Sequence, residues 1–304
     1  MKPVIFQFDA GQDLSHRLAG KIDCALGELE QRQFPDGESY VRLTTPVEDR
    51  DVILLSSLDD PDTKTLPLLF AADAARNQGA RSTSLVAPYL AYMRQDKTFQ
   101  PGEAVTSATY ARLLSDSFDW LVTIDPHLHR YRSLDAIYTI PSIAATATEP
   151  IASWIRAHVK QQCLIGPDVE SAQWVERIAM LANAPFAIFR KDRFGDFDVE
   201  IDDTGSSIPA NATLVIVDDI ASSARTMVEA VRVLKERGRS GPICIVVHAL
   251  FGGGAYQQLV DAGPAAIVST NSVKNLSNAI DIGDTLGAAV LDLLSRSATG
   301  GSPD

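Results

Sequence analysis

LVIVDDIASSART, residues 214–226, runs from an unbroken apolar tetrad into two adjacent carboxylates and then into small hydroxyl-bearing residues. Apolar at every position, Leu214–Val217 reads as a strand covered on both faces, the signature of a parallel sheet. Met227, Val228, Val231 and Leu234 follow at three- and four-residue spacing, an amphipathic helix that Gly238 closes as a left-handed C-cap. The unit is strand, turn, helix, with Asp218 and Asp219 at the carboxyl end of the strand. In open α/β sheets that edge is where ligands bind, and the free N–H groups at a helix start suit a phosphate. Ser222, Ser223 and Thr226 add hydroxyl donors, while the two acids suit sugar hydroxyls or a metal. An acidic strand end followed by a serine N-cap also occurs for structural reasons alone, so this stretch by itself leaves both readings open.

Outward from this unit, short β-branched runs alternate with amphipathic stretches along most of the chain. Val4–Phe8, Asp51–Ser56, Thr83–Pro88, Trp120–Asp125, Cys163–Ile165, Phe186–Phe189, Ile243–Ala249 and Ala266–Ser269 read as strands. Leu66–Asn77, Ser107–Ser115, Ile151–Val159 and Ser171–Leu181 read as helices between them. Such alternation predicts an α/β fold with parallel sheet. The small, Pro-flanked stretch from Pro141 to Pro150 is the best boundary between two halves. At 304 residues, the chain can bury about three-quarters of its unfolded surface and needs no staples. With 39 acidic against 27 basic residues its net charge is −12, which argues against a nucleic-acid surface but not against small phosphates held by local donors. No apolar run approaches a membrane span, and the start lacks a signal-peptide core, so no membrane association is expected. Cys24, Cys163 and Cys244 form no CxxC pair and read as buried thiols in a reducing, cytoplasmic setting.

Further residues have the right chemistry for a phosphate-handling site. Asp125 and His127, two apart on an extended chain, would face one way and share a magnesium shell or orient phosphate. Lys191 and Arg193 would project together from an extended segment and neutralise a transferring phosphoryl group. In the turn Phe34-Pro-Asp-Gly-Glu38 an aromatic ring sits beside two acids, suited to a nucleobase. Arg94, Gln95 and Asp96 follow a strand end. No zinc spacing, dinucleotide fingerprint or Walker sequence is present, and Gly252-Gly-Gly254 reads as a tight strand-to-helix turn.

Taken in order, FPDGE (34–38), PYLAYMRQD (88–96), TIDPH (123–127), GPD (166–168), the Lys-x-Arg at 191–193 and VDDIASSART (217–226) resemble the ribose-phosphate diphosphokinases. These enzymes make 5-phosphoribosyl 1-diphosphate from ribose 5-phosphate and ATP. The resemblance implies two similar type I phosphoribosyltransferase-like domains, each a mostly parallel sheet flanked by helices, with the active site between them. It places the N-terminal, nucleotide-side domain at 1–145 and the ribose phosphate-side domain at 146–285. A C-terminal helix at 286–297 would pack on the N-terminal domain, ahead of a disordered tail at 298–304. ATP would meet Phe34, Asp36, Glu38, Arg94, Gln95 and Asp96. His127 and Asp168 would organise Mg²⁺, and Lys191 and Arg193 would form the catalytic loop. Asp218, Asp219 and the run Ser222, Ser223, Ala224, Arg225, Thr226 would bind ribose 5-phosphate. Family members assemble as dimers or hexamers, so a homo-oligomer is implied.

Two departures from the family pattern stand out. Arg225 stands where glycine is usual, and arginine resists positive φ and close backbone approach; it could instead add a charged donor to the phosphate. Glu170 follows Asp168 where small residues are usual. These departures feed one alternative, a non-catalytic regulatory homologue; a second, a phosphoribosyltransferase that consumes the diphosphate, would share the loop after Asp218 and Asp219 but would not need FPDGE or Arg94-Gln95-Asp96.

Overall fold

The computed structural model describes residues 1–8, 12–191, 197–198 and 208–299. The chain divides into two compact units, one of residues 1–146 with 283–304 and one of residues 147–282.

The first unit contains β1 (Val4–Gln7), α1 (Gln12–Ile22), β2 (Ala25–Gly27), β3 (Leu29–Gln33), β4 (Ser39–Leu43), β5 (Asp51–Leu55), α2 (Pro61–Asn77), β6 (Ser82–Ala87), α3 (Thr106–Ser117), β7 (Leu121–Ile124) and β8 (Ser142–Ala145). The second contains α4 (Thr148–His158), β9 (Gln162–Gly166), α5 (Ala172–Ala182), β10 (Phe186–Ile188), β11 (Arg190–Lys191), β12 (Phe197–Asp198), β13 (Thr213–Ala221), α6 (Arg225–Glu236), β14 (Ile243–Ala249), α7 (Ala255–Ala262), β15 (Ala266–Thr270) and β16 (Asn278–Ile280). The last helix, α8 (Gly283–Thr299), returns to the first unit: Lys21 of α1 pairs with Asp284, and Gly287 lies against Lys21 and Leu18.

The sheet order is β2-β1-β5-β6-β7-β8 in the first unit and β10-β9-β13-β14-β15-β16 in the second. Renumbered within each unit, both read 2-1-3-4-5-6, and every pairing is parallel. Each unit also inserts a two-stranded antiparallel hairpin, β3–β4 or β11–β12, between its second and third sheet strands. One architecture is thus used twice, although the two halves show no sequence repeat that can be aligned by eye. Order 2-1-3 places a topological switch point between the first and third strands of each sheet, the position at which open α/β sheets bind ligands.

Burial follows from strand composition. Leu214–Val217 is buried on both faces, as are Val52–Leu55 and Cys163–Ile165. In α6 the residues Met227, Val228, Val231 and Leu234 pack into the core of the second unit, and Gly238 carries the positive φ expected of a C-cap. Helix α2 begins at Pro61, five residues before the expected start at Leu66. The interior Pro67 lies in the second turn of the helix, where only the bond to the Thr63 carbonyl is forfeited.

Candidate functional site

The switch point of the second unit lies between β9 and β13. Pairing of β13 with β9 ends at Ile216, while pairing with β14 continues to Ala221. Asp218 and Asp219 therefore sit where one neighbour has dropped away and a crevice opens. Asp168 follows β9 on the other side of that opening. Asp218 Oδ1 accepts the backbone amide of Asp219 at 3.0 Å, which fixes the orientation of the first carboxyl. Although Asp218 keeps some exposed surface, its carboxyl is surrounded by protein. Burial first, then the charges of Asp219 and Asp168, hold its pKa well above the ordinary carboxyl range.

Asp168 is itself anchored. Its Oδ1 accepts the Ser171 amide at 3.0 Å, and Ser171 Oγ donates to the Asp168 carbonyl at 2.7 Å. Gly166 makes this turn possible: a Cβ there would lie 2.5 Å from Ile188 Cδ1 and 2.7 Å from Ser171 Oγ. Glu170 is exposed on the same turn.

After Asp219 the chain forms an open-ended cradle. The Ala221 and Ser222 carbonyls accept the amides of Phe251 and Gly252 at 2.8 and 3.0 Å, so the turn after β14 braces the loop. Ala224, not Arg225, takes the left-handed conformation, with φ +53° and ψ +13°. This corrects the expectation that arginine faces the conformational demand made of the usual glycine. The Ala224 methyl turns into the core, and Arg225 becomes the first helical residue with an ordinary backbone. The Ala224 carbonyl accepts the Val228 amide, and α6 has no side-chain cap. Among the described residues, the amides of Arg225, Thr226 and Met227 and the hydroxyls of Ser222, Ser223 and Thr226 have no hydrogen-bond partner. Such a set of unspent donors suits an oxyanion.

In the first unit, β3 and β4 raise the Phe34–Glu38 turn on an antiparallel hairpin. Gly37 supplies the positive φ of +91°, Phe34 exchanges backbone bonds with Gly37 and Glu38, and Asp36 Oδ1 accepts the Glu38 amide at 3.2 Å. Phe34, Asp36 and Glu38 are all exposed. The hairpin itself escaped the sequence reading because β3 is polar after Leu29 and only Leu29, Val41 and Leu43 mark its apolar face. So did Arg32, whose guanidinium carbon lies 4.6 Å from the Phe34 ring centre and 4.3 Å from that of Tyr40. Arg94 is exposed and Gln95 half-buried, whereas Asp96 is buried and accepts Arg130 Nη1 at 2.6 Å. Tyr131 donates to the Asp96 carbonyl at 3.3 Å and lies 3.1 Å from Ser107 Oγ. One carboxylate oxygen of Asp96 is therefore occupied by structure, by a partner that no sequence spacing signals.

Asp125 departs from expectation. Its φ of +33° is not extended, so the two-residue alternation that would align it with His127 does not hold. His127 instead packs edge-on against His129, with ring centres 4.0 Å apart. Lys191 ends β11, opposite Phe197 in β12; Arg193 lies outside the described residues. His127 belongs to the first unit and Asp168 to the second.

Comparison with known proteins gives these parts a common origin. Residues 3–117 match the model of the N-terminal domain of ribose phosphate pyrophosphokinase, and residues 133–282 match that of the phosphoribosyl transferase domain. The ribose-phosphate pyrophosphokinase of Methanopyrus kandleri is 30% identical over 95% of this chain and 99% of its own length. The chain belongs to the ribose-phosphate pyrophosphokinase family. "Pyrophosphokinase" and "diphosphokinase" name the same activity. The Methanobrevibacter smithii pyrophosphokinase is likewise 30% identical, over 93% of this chain and 98% of its own. In fold, the crystal structure of phosphoribosylpyrophosphate synthetase from Mycobacterium smegmatis superposes with a TM-score of 0.82 at 23% identity, covering 97% of this chain and all of that one.

The donor chemistry also fits the magnesium ion that the family implies. Asp218, Asp219 and Asp168 are hard oxygen donors whose mutual repulsion a divalent cation would relieve. Among the described residues no group of three or more His, Cys, Asp or Glu side chains forms a metal cage. Mg²⁺ does not require one, since one or two carboxylates and substrate phosphates commonly suffice.

Proposed function

We propose that this protein transfers the diphosphate of ATP to O1 of ribose 5-phosphate, giving 5-phosphoribosyl 1-diphosphate and AMP. The observation that carries this reading is the family relationship over nearly the whole chain, N-terminal domain included. A phosphoribosyltransferase that consumes the diphosphate would need only the second unit's logic.

The reaction forms a bond between O1 of the sugar and the β-phosphorus and breaks the bridge to the α-phosphate. Positioning and charge neutralisation supply most of the catalysis. Asp218 and Asp219 hold the ribose hydroxyls and so orient O1. The donors of Ser222, Ser223, Thr226 and the start of α6 hold the 5-phosphate, supported by their lack of other partners. Phe34, Asp36 and Glu38 receive the adenine, and Arg94, Gln95 and Asp96 border the nucleotide. Lys191 and Arg193 neutralise charge developing on the transferred group and exclude water. His127 and Asp168 are the residues that would offer ligands to Mg²⁺, which when bound would supply Lewis-acid polarisation of the phosphate oxygens.

The exposed Leu66 and Phe70 on α2 and Leu113 on α3 support assembly as a homo-oligomer. A cytoplasmic setting is supported by three unpaired cysteines, whose thiols burial raises to about 11 for Cys24 and Cys163 and about 12 for Cys244. Among the described residues no helix is long and apolar enough to cross a membrane.

Phosphorus NMR of purified protein with ATP, ribose 5-phosphate and Mg²⁺ tests the reaction. Equal amounts of AMP and a sugar diphosphate are expected. Formation of ADP in place of AMP, or no reaction, would remove the assignment.

A further inference from the structure

Arg225 is the first residue of α6 and is exposed, and its guanidinium makes no hydrogen bond or ion pair among the described residues. Glu229, one turn along the helix, does not engage it. Helical side chains lean toward the N-terminus, so a long side chain at this position extends over the open end of α6. The amides of Thr226 and Met227 and the hydroxyls of Ser222 and Ser223 open on that same end of the helix with no partner among the described residues. A cation at a helix start opposes the helix dipole, and no acidic residue lies in the first turn to offset it. At the start of α6 the free amides, the helix dipole and the guanidinium are all electropositive, in a chain whose net charge is −12. An anion at this spot relieves all of them together.

The backbone explains how arginine is accommodated at this position. Ala224 carries the positive φ, and its methyl is buried in the core of the second unit, leaving the cradle's mouth clear. Arg225 therefore adds to the cradle without closing it.

We propose that Arg225 is a specificity-determining residue that grips the phosphate of the sugar phosphate with charge-assisted hydrogen bonds. Its planar, permanently charged fork biases the site toward dianionic phosphates. This rests on reading the loop as the ribose 5-phosphate site.

The test compares wild-type protein with Arg225→Ala and Arg225→Lys. Loss of a charged hydrogen bond should raise the KM for ribose 5-phosphate by about tenfold or more in Arg225→Ala, with kcat within about twofold. The KM for ATP should hold, and Arg225→Lys should recover part of the loss because it keeps the charge without the fork. Inorganic phosphate binding, followed by calorimetry on the same proteins, should weaken in parallel. An unchanged KM, or a fall in kcat at constant KM, overturns the proposal. If wild-type protein releases no AMP, the reading of the site fails instead, and phosphate calorimetry still decides the role of Arg225: equal affinity in wild type and Arg225→Ala overturns it.

Discussion

Arg130 reaches the buried carboxylate of Asp96 at 2.6 Å from 34 residues away, joining the loop after β6 to the loop after β7. Asp96 is almost wholly enclosed, whereas Arg130 is about half exposed. Removing the cation strands a buried charge; removing the charge itself leaves a hydrogen-bonding amide of the same shape. Arg130→Met should therefore cost more than Asp96→Asn. With one partner half in solvent, we expect about 1–2 kcal/mol for Arg130→Met, below the figure for fully buried pairs. Differential scanning calorimetry would show this as a lower Tm. The reverse ranking would mean that the pair is not a charge clamp.

Asp218 gives a pH dependence opposite to that of most aspartates. Its folded pKa is raised by burial and by Asp219 and Asp168, so its contribution to stability is fully present below the unfolded carboxyl value. That contribution is lost as pH rises through the folded value, where a charge must form in a site that disfavours it. Without ligand or magnesium, wild-type protein should lose stability on this account between acidic and mildly alkaline pH. Asp218→Asn should flatten that fall and melt higher than wild type at pH 8. A wild-type Tm above that of the variant at pH 8 would show that the carboxylate is stabilised there.

The left-handed backbone at Ala224 gives a sharp steric test. A β-branched residue at φ +53° is a conformational outlier, and the methyl it replaces already fills a core position. Ala224→Val should destabilise the second unit by about 2 kcal/mol or more, combining strain with overpacking. It should also weaken ribose 5-phosphate binding, because the cradle depends on this turn. Unchanged melting and binding would show that the loop adopts another backbone.

Lys191 is assigned to the developing charge on the transferred group, so its loss should act on the transition state more than on substrate binding. Lys191→Ala should lower kcat by roughly 10²–10³, with a modest change in ATP affinity. Steady-state kinetics with ATP titrations would check this, and a wild-type rate would exclude the role.

Much of this molecule could be read from local pattern because its burial is local. Leu214–Val217 announces a strand covered on both faces, and the apolar stripe from Met227 to Leu234 with Gly238 marks a capped helix. What escaped depends on tertiary context. Strand β3 of the β3–β4 hairpin is exposed after Leu29 and polar there, so it carries no alternation to betray it. The shared 2-1-3-4-5-6 order is a property of strand neighbours, which no single strand encodes. At Asp125 and Ala224 the backbone enters the left-handed region at residues that give no glycine signal. The Asp96–Arg130 pair is hidden by sequence distance alone. For the site, residue chemistry nominated the groups, whereas the structure within each unit decided which still have donors or acceptors to spend.

The central claim is that the twin acids at the end of β13 anchor a sugar phosphate for diphosphate transfer from ATP. AMP release that depends on ribose 5-phosphate, followed in wild type and in Asp219→Asn in one experiment, tests it most directly. Wild type should release AMP only when both the sugar phosphate and Mg²⁺ are present. Asp219→Asn should lose most of that turnover while still binding ATP. Equal rates in the two proteins, or AMP release that ignores the sugar phosphate, would contradict the account.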